Sequence, residues 1–240
     1  MGRSRLFRFS HRESQEYDGI SLTEMAHKIT ALTSQKRNPQ RINVYLDGEF
    51  AFGLSRIVAA WLQVGQELSD EKITKLQTED EQELAYQQAL KFLNFRQRSE
   101  MEIRKNLTEH RIPEETIEVT LGRLRSNGLV DDAQFAQNWI DNRSTFRPRS
   151  RKALAMELRQ RGIDRETIEE ALVGVDEEEA AYQAALKQAK KCRRLDQHQF
   201  RQKLYTHLAR LGFDYSITKQ VIDRIWTEQT ESSTAVDYQP

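Results

Sequence analysis

Between Arg41 and Phe52 apolar and polar side chains alternate. In "RINVYLDGEFAF" β-branched and aromatic residues recur at every second position, the signature of half-buried strands. Asp47–Gly48 breaks the run with a two-residue hairpin signal, and Asn38–Pro39 marks an earlier turn. The pattern predicts a small three-stranded antiparallel sheet within 28–54, then a short helix near Ser55–Trp61. Such a sheet is marginal alone and needs a helix laid on one face. From Ser69 onward the period becomes helical. Ser69, followed by Asp70 and Glu71, has the form of an N-cap with acids in the first turn, and no strand pattern follows it.

The helical part repeats. "IRKNLTEHRIPEETIEVTLGRL" from Ile103, "LAMELRQRGIDRETIEEALVGV" from Leu154 and "LYTHLARLGFDYSITKQVIDRI" from Leu204 align at spacings of 51 and 50 residues. Leu107, Leu158 and Leu208 correspond, as do Ile112, Ile163 and Phe213. Gly162 and Gly212 stand where a helix ends in a left-handed residue, and Asp164 and Asp214 where the next is capped; Pro113 takes that capping place in the first copy. Each copy follows another helical stretch, at Ala85–Phe92, Phe135–Ile140 and Ala181–Ala189. The unit is three helices, present three times, and tandem units of this kind imply an elongated arrangement. The expected organisation is a flexible tail at 1–25, a sheet-plus-helix extension at 26–80, three-helix repeats at 81–130, 131–176 and 177–228, and a flexible tail at 229–240. The fold class is mainly α with a small N-terminal antiparallel sheet.

One stretch between the first two copies, "GLVDDAQFAQNWIDNR", raises a chemical question. Asp131 and Asp132 are either an acid pair that works on a metal or a proton, or the start of a helix. Phe135, Ala136, Trp139 and Ile140 fall on one helical face just beyond them. An aspartate there accepts a bond from a free first-turn N–H, worth about 0.5–2 kcal/mol. Gly128 supplies the left-handed stop of the preceding helix, and Leu129 and Val130 are expected to tuck between modules. Catalysis needs converging partners, and no histidine lies near in sequence. The capping reading is preferred.

Composition narrows the function further. Charged residues reach 31% and hydrophobic ones only 38%, which suits small modules with much solvated surface. Cys192 is the single cysteine, so neither a disulfide framework nor a thiolate metal site is expected. No aliphatic run approaches the roughly 20 residues of a membrane span. The basic N-terminus lacks the apolar centre of a secretory signal. A cytoplasmic, soluble monomer is expected, with no cofactor, no metal, no membrane contact and no small-molecule substrate. Nucleotide-phosphate loops and hydrolase or metalloprotease motifs are absent from the sequence.

Net charge is zero, yet the charges run in blocks. Arg143, Arg147, Arg149, Arg151 and Lys152 crowd into ten residues around Phe146 and Ser150. The third copy carries a second cluster, Lys187, Lys190, Lys191, Arg193 and Arg194. Arginine's planar fork suits phosphate or carboxylate, and screening makes local sign matter more than the sum. Both clusters are expected to contact a polyanion or an acidic protein.

The motif from Gly128 to Arg143, the following "RSRKALAMELRQRGIDRETIEEAL" and the preceding "RSEMEIRKNLTEHRIPEETIEVTLGRLRSNG" together resemble the RecX family, bacterial regulators of the RecA recombinase. The resemblance spans Glu83 to about Glu228, and "INVYLDGEFAFGLS" is similar to the extension of longer members; the third module departs most. It implies a protein that is not an enzyme, made of tandem three-helix repeats. Members of that family bind the RecA filament on single-stranded DNA and typically suppress ATP hydrolysis and strand exchange, which makes inhibition the expectation here; contact with double-stranded DNA stays open. The rival expectation is a transcription regulator built from helix-turn-helix-like units. An acid-pair nuclease is a distant third.

Overall fold

The computed structural model describes residues 26–192 and 195–236, with side chains described through residue 230. The expected tail at 1–25 lies outside them. The chain divides into two compact units, Met1–Asp80 and Glu81–Pro240.

In the first unit, β1 (Ala26–Gln35), β2 (Asn38–Leu46), β3 (Glu49–Ser55) and β4 (Glu67–Ser69) form an antiparallel sheet in the order β3-β2-β1-β4. Asp47 and Gly48 both take positive φ, 52° and 93°, the backbone of a tight hairpin turn whose twist matches its strands. Two expectations need correction. The sheet has a fourth strand, three residues long, paired with Ala26–Lys28. The earlier turn lies at 36–37 rather than Asn38–Pro39. Pairing jumps from Ser34↔Ile42 to Gln35↔Asn38, so Pro39 sits in an irregularity where its missing N–H breaks no ladder bond. A 3-10 turn, Val58–Trp61, stands where a short helix is predicted. Ile29, Val44, Leu54 and Leu68 form the core with Leu76 of the helix α1 (Asp70–Leu93). Ser69 Oγ accepts from Lys72 N–H, so the expected cap is present. Asp80 closes this unit: it accepts from the Ser55 N–H and pairs with Arg41 at 2.9 Å.

The second unit holds the rest of α1 and eight further helices among the described residues. They are α2 (Glu100–Glu109), α3 (Glu114–Ser126), α4 (Asp132–Phe146), α5 (Arg151–Arg159), α6 (Arg165–Leu172), α7 (Glu177–Ala189), α8 (Gln197–Arg210) and α9 (Tyr215–Val236). Three separate cores match the repeat. Ile103 and Leu107 pack with Tyr86, Ala89, Ile117 and Leu121; Leu154 and Leu158 with Phe135, Ala136, Ile140 and Ile168. Leu204 and Leu208 pack with Ala181, Ala185, Phe200 and Ile225. Burying one such leucine contributes about 1.5–3 kcal/mol. Val130 joins the first core, whereas Leu129 remains 43% exposed rather than tucked between modules. The last helix continues to Val236, past the point where a tail is predicted. Nothing between Trp226 and Val236 breaks it, since glycine and proline are absent there.

The modules are joined by the same device twice. Ser99 caps α2 in a capping box with Glu102, and its hydroxyl also donates to the Arg161 carbonyl at 2.7 Å. Ser150 caps α5, and its N–H donates to the Leu211 carbonyl at 3.2 Å. Both serines are fully buried. The residue after each accepting carbonyl is a glycine at positive φ, Gly162 or Gly212, with no room for a side chain. A third contact completes each joint. The Asp132 carboxylate accepts from the Glu100 N–H at 2.9 Å, and Glu177 accepts from the Arg151 N–H at 3.2 Å. In both cases the acid follows the N-cap of its own helix, Asp131 or Asp176. A module therefore offers the start of its second helix, and the next module covers it with a turn and an acid.

The paired aspartates thus serve two helices. Asp131 accepts from Gln134 N–H within α4, while Asp132 reaches across to α2. Burial raises the Asp132 carboxyl above the ordinary range; the Glu100 N–H lowers it, and the Glu100, Asp164 and Asp131 carboxylates raise it again. The folded chain then holds this proton more tightly than the unfolded chain. Stability is lost as pH rises from the unfolded Asp range through the raised folded value, and is level above it. Asp132→Asn keeps an acceptor oxygen without the charge. Its urea midpoint should therefore gain on that of the parent as pH rises from about 3 to about 7. A gap that does not move with pH would remove Asp132 as the titrating group.

Candidate nucleic-acid interface

Arg147 and Arg149 of the first basic cluster and Lys187 and Lys191 of the second line one groove at the second joint. Phe146 at the end of α4 and Arg147, Pro148 and Arg149 in the loop after it face Ala184, Lys187 and Gln188 of α7, Lys191 just beyond it, His207 of α8 and Leu211 just after that helix. They enclose a groove of about 270 Å³. Local forces place each part. Pro148 prevents α4 from running on, and Ser150 starts α5 immediately afterwards. Lys187 lies in the last turn of α7, where a cation offsets the carbonyl end of the helix dipole. Its ammonium donates to the Phe146 carbonyl at 3.4 Å, and an Arg149 guanidinium nitrogen to the Arg210 carbonyl at 3.5 Å. Both bonds run between modules.

A second groove of about 310 Å³ continues from the first, sharing Gln188 and His207 and adding Gln202, Lys203, Thr206 and Arg210. No carboxylate lines either groove among the described residues. The electrostatic consequence is legible at His207. Burial lowers its imidazole below the ordinary histidine range, and Lys191, Arg210 and Arg149 push the same way. A bound anion would relieve that repulsion. Cations in shallow, partly apolar grooves, with Phe146 67% exposed at the mouth, suit phosphates.

The predicted contact residues divide. Arg147, Arg149 and Lys191 line the groove. Arg151, Lys152 and Lys190 are exposed but stand outside its lining. Arg193 and Arg194 lie outside the described residues. Arg143 is engaged within its own module: its Nε donates to Glu157 at 2.7 Å and its guanidinium lies 4.4 Å from the centre of the Trp139 ring. Glu157 also accepts from the Trp139 indole at 2.9 Å, and Arg161 covers the ring from 3.6 Å. Trp139 in turn stacks on Phe135 at 6.1 Å. Lys203, His207 and Arg210 escaped the sequence reading, although their spacing puts all three on one side of α8. Gly128 takes its expected left-handed turn at φ 65°. Among the described residues no group of three His, Cys, Asp or Glu is placed to hold a metal ion, and no helix is long and apolar enough to cross a membrane.

Four family models match the chain in order: the regulatory protein RecX N-terminal domain at 27–69 and the RecX first, second and third three-helix domains at 85–124, 131–172 and 176–222. The chain belongs to the RecX family. It is 30% identical to the regulatory protein RecX of Bacillus subtilis (strain 168) over 210 residues, covering 85% of this chain and 80% of that protein. With the regulatory protein RecX of Limosilactobacillus reuteri (strain DSM 20016) it shares 31% over 203 residues, 82% of this chain and 76% of the other. A crystal structure of regulatory protein RecX superposes with a TM-score of 0.66 at 31% identity, over 82% of this chain and 99% of that one. The crystal structure of RecX from Lactobacillus salivarius shares the fold, with a TM-score of 0.54 at 23% identity over 60% of this chain and 96% of that one. The relatives carry the name of regulatory proteins, and the tandem three-helix domains with an N-terminal sheet are those of the RecX family.

Proposed function

We propose that this RecX-family chain is a cytoplasmic regulator that binds a RecA-type recombinase filament on single-stranded DNA. It restrains ATP hydrolysis and strand exchange, and carries out no bond-making or bond-breaking of its own. The observation that carries this reading is the groove at the second joint, where two modules turn Arg147, Arg149, Lys187 and Lys191 toward one space that no described carboxylate lines. Membership of the RecX family supports a recombinase filament as partner, and the groove offers a surface suited to its phosphates. Several modest contacts on linked modules add through effective concentration, so no one module needs high affinity.

The test is a recombinase ATPase assay on single-stranded DNA. The parent protein should slow ATP turnover, and a folded Arg147→Glu/Lys187→Glu/Lys191→Glu variant should need about tenfold more protein for the same effect. Its dependence on salt should also be shallower, by about 0.7 in log–log slope for each phosphate that is no longer neutralised. Inhibition unaltered by the triple reversal would remove the groove from the mechanism. Retention of one duplex sequence over random competitor by about 10³ or more would favour the transcription-regulator reading instead.

A further inference from the structure

We infer that the cavity between α8 and α9 is a stacking site for one unpaired nucleobase, with Tyr205 and Tyr215 supplying the rings. The inference deepens the single-stranded DNA reading above and rests on it.

His198, Arg201, Gln202 and Tyr205 recur at i, i+3, i+4 and i+7 along α8, one face of a helix. Tyr215, Lys219 and Ile222 recur at i, i+4 and i+7 along α9. Together these seven residues line a cavity of about 230 Å³. That is smaller than the roughly 300–1,000 Å³ of a site for a drug-sized ligand. The two rings meet edge to face at 5.7 Å between centres. The two residues are 44% and 65% exposed, which leaves aromatic surface open to a ligand. Ile222 is buried and gives the cavity an apolar base. Arg201 and Lys219 stand beside the rings, Arg201 held by Asp223 at 2.7 Å.

Position decides for a nucleobase. Gln202 lines both this cavity and the basic groove that runs toward the second joint, so the two sites are adjacent across the exposed ridge of α8. A charged groove that follows the sugar–phosphate chain beside aromatic faces that receive its bases is the combination by which proteins hold single strands without regard to sequence. Duplex DNA, whose bases are already stacked, has nothing to offer the tyrosines. The pair would therefore favour single strands over double, a preference that a purely phosphate-binding groove lacks.

Fluorescence anisotropy on the full chain tests this with two labelled strands of equal charge, an oligothymidine of about a dozen nucleotides and its abasic counterpart. The parent should hold the base-bearing strand more tightly. Tyr205→Ala/Tyr215→Ala should weaken oligothymidine about tenfold, the worth of one stacked base, and leave the abasic strand nearly unchanged. Tyr205→Phe/Tyr215→Phe should bind like the parent, because the rings remain. If the double alanine variant fails to fold, Tyr215→Ala alone, at the exposed first position of α9, replaces it. Equal losses on both strands, or none, overturn the stacking site while leaving the groove standing. Loss of recombinase inhibition with unchanged oligothymidine binding overturns it too, in favour of a direct protein contact. Failure of the parent to bind either strand removes both the site and the DNA contact on which it rests.

Discussion

Gly162→Ala should destabilise the chain by about 2–5 kcal/mol, the sum of a left-handed backbone forced on an L-residue and an overfilled contact. The residue has φ 79°, and an added Cβ would stand 2.3 Å from the Met101 sulfur and 2.4 Å from the Met101 Cβ. Met101 belongs to the first turn of α2 in the preceding module, so the strain falls on the joint itself. Gly128→Ala is the matched control. It has φ 65° with nothing within 4 Å, and should cost only the backbone share, about 1–2 kcal/mol. Urea unfolding, followed by far-ultraviolet circular dichroism and by tryptophan emission, gives both numbers and shows whether the modules unfold together. Equal costs at the two glycines would mean that Met101 does not press on Gly162 in solution, and the joint as described would be wrong.

The second large effect lies at Glu157. Its carboxylate accepts from the Trp139 indole and from Arg143, and stands 3.7 Å from the Arg149 Nε. The Arg143 and Glu157 side chains are each about 20% exposed, so water screens the pair only in part. Glu157→Ala leaves an indole N–H unpaired and removes the carboxylate that Arg143 and Arg149 share. We expect a loss of about 2–3 kcal/mol, below the 3–5 kcal/mol of a fully buried pair because of that exposure. The double variant Glu157→Ala/Arg143→Met should recover part of it, since a hydrophobic side chain replaces a stranded charge. A single-variant cost below about 1 kcal/mol would class the pair with ordinary surface ion pairs. Glu157 also stands beside Arg149, a groove residue, so its loss should loosen one wall of the candidate interface.

Local signals carried most of the fold. Asp47–Gly48 names its own turn, and the repeat places eight buried core residues and the partly buried Ile112, from Ile103 to Phe213, because both depend on neighbours close in sequence. Asn38–Pro39 misled for a related reason: proline marks turns by frequency, but here its missing N–H suits a pairing irregularity equally well. The short β4 gave no pattern, since three residues cannot show a period. Chemistry was less legible than fold. Arg143 looked like its neighbours, because its partner Glu157 arrives from the next helix and no spacing rule announces such a pair. The two clusters looked like separate patches, and only the joint folds Arg147 and Lys187 onto one groove. Ser150 reads only as a spacer between charges and Ser99 gives no signal of its own, although burial and one bond across each joint make both serines part of the joints.

The first and third repeats differ from the joints between them at two positions. Where the first and second modules present Ser99 and Ser150, the third has Phe200, already inside α8 and fully buried. No serine-capped helix start remains there for a successor to cover. At the other end, Arg111 at φ 61° fills the place of Gly162 and Gly212, an exposed side chain where a docked turn tolerates none. A tandem duplication that appended a fourth copy after α9 would thus find no socket, and the added copy would hang as an independent bead. The last repeat lacks the buried serine that each earlier one offers to the next.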